Sequence, residues 1–154
     1  MHITRYSDYS IRVLMHLGLK GEELSTIQEI SESYQISRNH LMKVVYDLGR
    51  RGYIETLRGK NGGIRLRRRP EDINLGALVR ETEQDLAVAE CFGSGNQCLI
   101  TPACVLKSVF GEALAAFFKV LDGTTLADLL PAERRPQLAR LLRIDPALST
   151  DARA

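Results

Sequence analysis

The 154-residue chain has no tryptophan and is poor in cysteine and proline, with three and five residues respectively. A small, odd number of cysteines argues against the disulfide framework that stabilises many small secreted domains. No apolar run is long enough to cross a membrane, and the first eight residues lack the apolar core of a signal peptide. We therefore expect a cytoplasmic protein whose thiols are free to react or to bind metal.

All three cysteines lie in one short segment with the spacing C-x6-C-x5-C. Cys91 and Cys98 flank a loop rich in glycine, serine and asparagine. Cys104 follows a predicted helix start, with Thr101 as the N-cap and Pro102 at the first helical position. A cysteine in the first turn of a helix faces free backbone N–H groups, which favour the metal-binding thiolate.

The spacing leaves three functions open for these thiols. A structural zinc site normally pairs its cysteines as C-x2-4-C, a pattern that is absent here. A redox switch needs only one or two thiols, and the third would then be unexplained. An iron–sulfur cluster would use all three thiolates and need a fourth ligand from elsewhere.

Positive charge is concentrated in one part of the chain. Residues 38–69 contain ten lysines and arginines and two acidic residues, a net charge of +8, whereas the remaining residues carry a net charge of −6. A basic region on an otherwise acidic molecule is typical of proteins that bind nucleic acid. The alternative is an ordinary solvated surface, which charge alone does not exclude.

Two short predicted helices follow a first helix over residues 4–19. Ser25 and Thr26 begin a capping box for the first of them, and Ser37 is predicted to cap a helix over 38–51 that ends at Gly52. Two helices joined by a tight turn predict a helix-turn-helix, although the turn position often taken by glycine holds Gln35.

Two alternating runs, 53–57 and 64–67, flank a basic turn rich in glycine and predict a β-hairpin, the wing of a winged helix. In the major groove Arg38 would suit guanine and Asn39 adenine. The alternative is a core helix whose polar start merely faces water. The predicted DNA-contacting residues are Ser37, Arg38, Asn39, His40, Lys43, Arg58, Lys60, Asn61, Gly62 and Gly63.

In the second half of the chain we predict helices and no strands. Asn74 is expected to cap a short helix ending near Glu83, and a longer helix is expected over 102–121. Five apolar residues recur along the long helix at 4-3-4-3 spacing, namely Leu106, Phe110, Ala113, Phe117 and Val120. This spacing is typical of a helix pair between two subunits, and packing within an internal core is the alternative. A further short helix is expected over 124–130.

The predicted fold class is mostly α with a small β-hairpin wing: a winged helix-turn-helix DNA-binding domain followed by a long dimerisation helix. We expect a DNA-binding lobe over 1–69, and a cysteine loop with the dimerisation helix over 70–130. A C-terminal tail over 131–154 contains a weak amphipathic stretch interrupted by Pro136, and its last residues are expected to be disordered.

Five segments together resemble one bacterial family. They are RNHLMKVV at 38–45, GY at 52–53, RGKNGGIRL at 58–66, VRETE at 79–83 and LITPACVLK at 99–107. Their order and spacing are similar to those of the NsrR-type repressors, which sense nitric oxide through an iron–sulfur cluster. These repressors belong to the winged helix-turn-helix family that also includes IscR. IscR-like members carry a histidine three residues after the third cysteine, where this chain has Lys107.

Asp8 has two interpretations. It is four residues before Arg12 on the first predicted helix, so a surface ion pair is the default. In NsrR-type proteins with a 4Fe–4S cluster, an aspartate of the first helix reaches the cluster from the other subunit, and Asp8 matches its position. The resemblance therefore implies that Cys91, Cys98, Cys104 and Asp8 are metal ligands. A 4Fe–4S cluster is favoured, and 2Fe–2S is the alternative because the first cysteine gap is longer than in some relatives.

The resemblance implies a homodimeric repressor that binds a palindromic operator in double-stranded DNA and releases it when nitric oxide reacts with the cluster. One alternative is an iron or redox sensor of the same family. Another is an iron–sulfur electron carrier, which would leave the basic wing unexplained. We expect no enzymatic activity, because the three histidines are scattered and no constellation of catalytic residues is present.

Overall fold

The computed structural model describes residues 2–144, so the predicted disorder of the last ten residues lies outside the described part of the chain. The described part contains a two-stranded antiparallel sheet and α-helices on either side of it in sequence. The helices are α1 Arg5–Lys20, α2 Ile27–Tyr34, α3 Arg38–Arg50, α4 Leu75–Thr82, α5 Val105–Asp122 and α6 Arg135–Leu141; the strands are β1 Ile54–Leu57 and β2 Gly63–Leu66.

Side-chain caps fix the starts of the first two helices. Thr4 accepts a hydrogen bond from the Ser7 backbone N–H at 3.2 Å at the start of α1. Thr26 and Glu29 form the predicted capping box of α2, each side chain accepting from the other residue's backbone N–H. Gln35 takes the left-handed conformation, with φ of 55°, in the turn between α2 and α3. An ordinary side chain therefore makes the turn that glycine often makes.

The α3 helix has the predicted apolar stripe. Its buried residues are Leu41, Val44, Val45 and Leu48. Ser37 occupies the N-cap position, but its side chain makes no capping hydrogen bond, so the predicted cap is confirmed only in position. The helix ends before Gly52, whose φ of 74° the chain tolerates because glycine has no Cβ.

The wing is a hairpin of two four-residue strands. Ile54 pairs with Leu66 at the base, and Leu57 pairs with Gly63 at the tip. Ser25, just before α2, also exchanges two backbone hydrogen bonds with Ile64, at 2.9 and 2.8 Å. The wing is thus attached to the helix-turn-helix by backbone contacts as well as by its apolar face.

One apolar core joins the amino-terminal helices, the wing and the end of the described chain. Ala139, Leu142 and Ile144 belong to the same buried cluster as the α1 and α3 residues. The Ser33 hydroxyl on α2 donates to the Leu142 carbonyl at 2.8 Å. Contrary to the prediction, Pro136 does not interrupt this segment. It lies in the first turn of α6, where a backbone N–H would have no hydrogen-bond partner within the helix.

Two predicted helix boundaries in the second half are wrong. Thr101–Ala103 forms a separate 3-10 turn, and α5 begins only at Val105, with Cys104 at its N-cap position. The Thr101 hydroxyl donates to the Cys98 carbonyl at 2.8 Å and therefore does not cap a helix. The helix predicted over 124–130 is a 3-10 turn at Ala127–Leu129.

The long helix α5 is mostly exposed. It packs on α4, and Phe118 is its one buried residue within the described structure. Large apolar side chains on the rest of its surface are exposed, namely Val105, Leu106, Val109, Phe110 and Val120. Among residues 2–144, no helix is long and apolar enough to cross a membrane.

Candidate metal centre and nucleic-acid interface

The three cysteines lie on a segment that is almost all turn and loop. Cys91 is in the 3-10 turn Glu90–Phe92, Cys98 follows the glycine-rich loop, and Cys104 precedes α5. All three are free thiols and partly exposed. The sequence predicts Cys104 at the third helical position, but it lies at the N-cap, so this prediction is wrong by three positions.

Short hydrogen bonds shape the loop between the cysteines. The Asn96 side chain accepts from the Cys98 backbone N–H at 3.0 Å and donates to the Thr101 hydroxyl at 3.0 Å. Glu90 accepts from the Gln97 backbone N–H at 2.8 Å. These contacts bring the chain back on itself between Cys91 and Cys98 without help from a buried apolar cluster.

Within a single chain the predicted metal ligands are not gathered. Across residues 2–144, no group of three or more cysteine, histidine, aspartate or glutamate side chains is placed to hold a metal ion. Three partly exposed free thiols in one short segment nonetheless have the donor chemistry that suits an iron–sulfur cluster or zinc. The types of donor therefore fit such a group, although a single chain does not bring them together.

Asp8 makes the ion pair that its spacing predicts. Both of its carboxylate oxygens contact the Arg12 guanidinium, each at 3.0 Å, and both side chains are 42% exposed. The Arg12 guanidinium also lies 5.8 Å from the centre of the Tyr34 ring on α2. Within one chain, therefore, Asp8 pairs with Arg12 on α1, and Arg12 in turn contacts the helix-turn-helix through Tyr34. Asp8 does not join the thiols in a group that could hold a metal ion.

The start of α3 presents the predicted DNA-contacting side chains to solvent. Ser37, Arg38, Asn39 and His40 are all exposed, as is Lys43 one turn later. The opposite side of the helix is buried in the core, so the exposed side is held in a fixed orientation. This arrangement leaves the polar groups at the helix start available to a partner.

The tip of the wing is similarly exposed and basic. Arg58, Lys60 and Asn61 are exposed and lie on the turn between β1 and β2. A Cβ on Gly62 would clash with the Leu57 carbonyl, and one on Gly63 would lie 2.8 Å from the Ser25 carbonyl. Glycine at these two positions is therefore required by close backbone packing.

The basic residues of the region 38–69 fall into two groups. Arg51, Arg65 and Arg69 are engaged in ion pairs within the chain. Arg68 lies 4.3 Å from the centre of the Tyr53 ring and donates to backbone carbonyls. The other six make no salt bridge with a described residue; they are Arg38, Lys43, Arg50, Arg58, Lys60 and Arg67. This second group includes every lysine and arginine among the predicted DNA contacts.

A polar network that the sequence did not reveal connects α1, α3 and α4. The Tyr6 hydroxyl and the Arg51 Nε both donate to Asp47 Oδ2 at 2.6 Å, and Arg51 also lies 3.7 Å from Glu81. Burial, together with the bond to Asp47, raises the pKa of Tyr6 to about 12. The four-residue spacing of Asp47 and Arg51 was the one available signal, and it does not indicate the partners on other helices.

His16 is a second feature that the sequence did not reveal. It is 1% exposed, and its Nε2 lies 3.0 Å from the Ser25 hydroxyl, which donates to Glu29 at 2.8 Å. Its Nδ1 has no hydrogen-bond partner among the described residues. Burial, and secondarily the charge of Lys20, lowers the pKa of His16 to about 4, so the ring is neutral near pH 7.

Comparison with known proteins identifies one family of regulators to which the chain is similar. The model of the Rrf2 family, described as an iron-dependent transcriptional regulator, matches residues 3–132. The HTH-type transcriptional regulator NsrR of Geobacillus kaustophilus is 52% identical over 145 residues, covering 93% of this chain and 97% of that protein. NsrR of Bacillus subtilis is 51% identical over 146 residues, covering 94% and 99%.

The solved structure of T. potens IscR is similar, with a TM-score of 0.70, 26% sequence identity, and coverage of 89% of this chain and 91% of that one. The predicted fold class, a winged helix-turn-helix with a long additional helix, is confirmed. With a family model spanning most of its length and relatives more than half identical, the chain belongs to the Rrf2 family of transcriptional regulators.

Proposed function

We propose that this chain is a cytoplasmic, homodimeric repressor that binds operator DNA and releases it in response to nitric oxide. The observation that carries the DNA-binding part is the exposed start of α3 beside an exposed basic wing, both with cations that make no ion pair within the described chain. A regulator with this function acts on chromosomal DNA and needs no catalytic site.

The geometry supports a palindromic operator. The start of a recognition helix contacts base edges in the major groove, and the wing contacts the backbone beside it. Two copies related by a two-fold axis would place their α3 helices in grooves about 34 Å apart, one turn of DNA. The exposed apolar face of α5 is the surface that would join the copies.

The sensing part is carried by the three free thiols directly before α5. We assign Cys91, Cys98 and Cys104 as ligands of an iron–sulfur cluster, with Asp8 of the second copy as the fourth ligand. A 4Fe–4S cluster is favoured over 2Fe–2S. The group would supply iron to which nitric oxide binds.

Asp8 is the residue suited to transmit the signal. A carboxylate is a hard oxygen ligand and is held less firmly than thiolate by iron in a sulfur-rich site. When it is not a ligand, Asp8 pairs with Arg12, whose guanidinium contacts Tyr34 on α2. The same carboxylate thus has one partner within its own helix-turn-helix and, by this proposal, another in the second copy.

Anaerobic purification tests the proposal directly. Protein with a bound cluster should be brown, should retard a duplex carrying its operator, and should lose that retardation as nitric oxide is added. Alanine at 91, 98 or 104 should each remove the colour, whereas Ser94→Ala in the same loop should leave it. Colourless wild-type protein that binds the operator equally tightly would exclude the sensing part.

A separate experiment tests Asp8. Asp8→Ala should change the rate of the spectral response to nitric oxide while the three thiols keep the chromophore. Asp72→Ala is the matched control, because Asp72 also forms a surface ion pair with a nearby arginine. An unchanged spectrum and unchanged kinetics in Asp8→Ala would reject Asp8 as a ligand.

The family description favours one alternative, a regulator that responds to iron or redox state through the same thiols. The two functions differ in the signal that releases DNA. Release by iron chelation or oxidation, with no response to nitric oxide, would select the alternative. Reversible redox cycling of the chromophore in a protein that binds no DNA at low salt would instead indicate an electron carrier.

A further inference from the structure

The exposed face of α3 extends well beyond the residues at its start. Successive residues of an α-helix are about 100° apart, so Asn39, Tyr46 and Arg50 lie within about 40° of one another around the helix axis. All three are exposed, and Tyr46 is 68% exposed despite its large ring. The side of α3 that would contact bases therefore continues without interruption to the end of the helix.

A groove of about 610 Å³ borders this face on the side of the wing. Val45 and Ile54, both buried, lie at its floor. Tyr46 and Arg50 line one side, and Arg67, which follows β2, lines the groove as well. Glu55 also lines it, but its carboxylate is occupied by Arg65, whose Nε donates to it at 2.6 Å.

The two arginines of this groove differ from the paired arginines of the region 38–69. Neither Arg50 nor Arg67 makes a salt bridge with a described residue, and both are exposed. The Arg50 guanidinium lies 5.9 Å from the centre of the Tyr46 ring, a contact that orients it along the exposed face. An apolar floor bordered by free guanidinium groups and a phenol is complementary to a chain of sugars and phosphates.

The length of the helix supports the same occupant. Arg50 lies eleven positions after Asn39, which is about 16 Å along the axis. The major groove is about 12 Å wide. A helix with Asn39 at a base edge must therefore carry Arg50 to the rim of the groove, where the backbone runs.

We propose that Tyr46, Arg50 and Arg67 bind the sugar–phosphate backbone of double-stranded DNA, in addition to the contacts assigned to the start of α3 and the wing tip. The inference rests on the proposed DNA-binding function. The guanidinium groups donate to phosphate oxygens, the phenol hydroxyl donates to a third, and the groove floor packs against a deoxyribose. These residues set affinity and register and read no base.

The salt dependence of DNA binding tests this proposal. Each phosphate contact adds about 0.9 to the negative slope of log K against log salt concentration. We would measure this slope by fluorescence anisotropy, with the full chain and a mixed-sequence 24-base-pair duplex over a potassium chloride series. Arg50→Gln and Arg67→Gln should each reduce the slope by about 0.9, and Tyr46→Phe should weaken binding about tenfold at one salt concentration.

Arg69→Gln is the matched control, because it removes the same charge from a residue that Asp72 already pairs. Its slope should stay close to that of the wild-type protein. Slopes for Arg50→Gln and Arg67→Gln that equal the Arg69→Gln slope would overturn the proposal. A wild-type protein that binds no duplex at low salt would instead contradict the proposed function itself, so the two failures are distinguishable.

Discussion

At the scale of single residues, burial keeps the His16 side chain unprotonated at a pH where an exposed histidine would begin to take up a proton. The His16 ring contacts the Ser25 hydroxyl, and Lys20 and Glu29 are the charged groups nearby that influence it. The same serine pairs with the wing through its backbone. A neutral histidine therefore connects α1 to the attachment point of the wing, and protonation would place a charge where the structure does not solvate it.

We predict that this histidine destabilises the fold in mild acid. An unfolded chain has a histidine pKa near 6.5, whereas burial lowers the pKa of His16 to about 4 in the folded chain. Between these values the unfolded state binds a proton that the folded state does not, so the free energy of unfolding falls as the pH falls. The full loss between pH 7.5 and pH 5 is about 2 kcal/mol.

Urea denaturation of the wild-type chain and of His16→Gln at several pH values checks this prediction. His16→Gln can still contact Ser25 but cannot titrate, so its stability should depend less on pH across this range. His40→Gln, which changes an exposed histidine, is the control and should behave like the wild-type chain. Equal pH dependence in the wild-type chain and in His16→Gln would refute the assignment.

At the scale of elements, the wing depends on backbone contacts more than on side chains. Its two strands are four residues each, and the Gly62 backbone N–H donates to the Gly59 carbonyl in the turn between them. The three atoms nearest to a Cβ placed on Gly62 are backbone atoms of Leu57, Arg58 and Gly59. The turn cannot relax by moving a side chain.

We predict that Gly62→Ala opens the wing tip and weakens DNA binding while the helices stay folded. Forcing an extra methyl group into packed surroundings typically costs about 1–3 kcal/mol, and here the cost falls on the turn that presents Arg58 and Lys60. Helical circular dichroism should be unchanged, and duplex affinity should fall. Gly95→Ala adds the same methyl group where nothing lies within 4 Å, and it should leave both readings unchanged.

The elements of the first half were predictable because their signals are local. The capping box at Thr26, the four-residue apolar stripe of α3 and the glycine-rich hairpin turn each specify structure within a few residues. The start of α5 was not, because Thr101 and Pro102 favour a helical turn without determining whether it continues. The chain turns again at Cys104 before α5 begins.

The candidate site was predictable in composition and not in arrangement. Free thiols, exposed α3 residues and a basic wing follow from residue types and spacing. The buried state of His16 and the Tyr6–Asp47–Arg51 network depend on contacts across more than one helix, which periodicity does not encode. Sorting the arginines into paired and unpaired groups likewise required the positions of their carboxylate partners.

At the scale of the whole molecule, α5 is the element whose surface does not suit an isolated chain. The other large apolar side chains are mostly gathered into one core, whereas Leu106 and Val109 on α5 are 54% and 52% exposed. Contiguous exposed apolar surface of this kind marks protein interaction sites. Since Cys104 directly precedes this helix, joining two copies along it would place both cysteine segments next to the junction.

We predict that the wild-type protein is a dimer and that Leu106→Glu converts it to a monomer. Placing a carboxylate on the apolar face of α5 would bury an unpaired charge between the two helices, at a cost of about 2–4 kcal/mol of association free energy. Light scattering after size exclusion should then report the mass of a single chain for Leu106→Glu and twice that mass for the wild-type protein. Operator affinity should fall as well, because two half-sites are no longer bound by one linked molecule. Leu141→Glu makes the same change at a leucine on α6 that is 68% exposed, and it should leave the dimer intact. If Leu141→Glu dissociates the dimer and Leu106→Glu does not, α6 and not α5 joins the subunits.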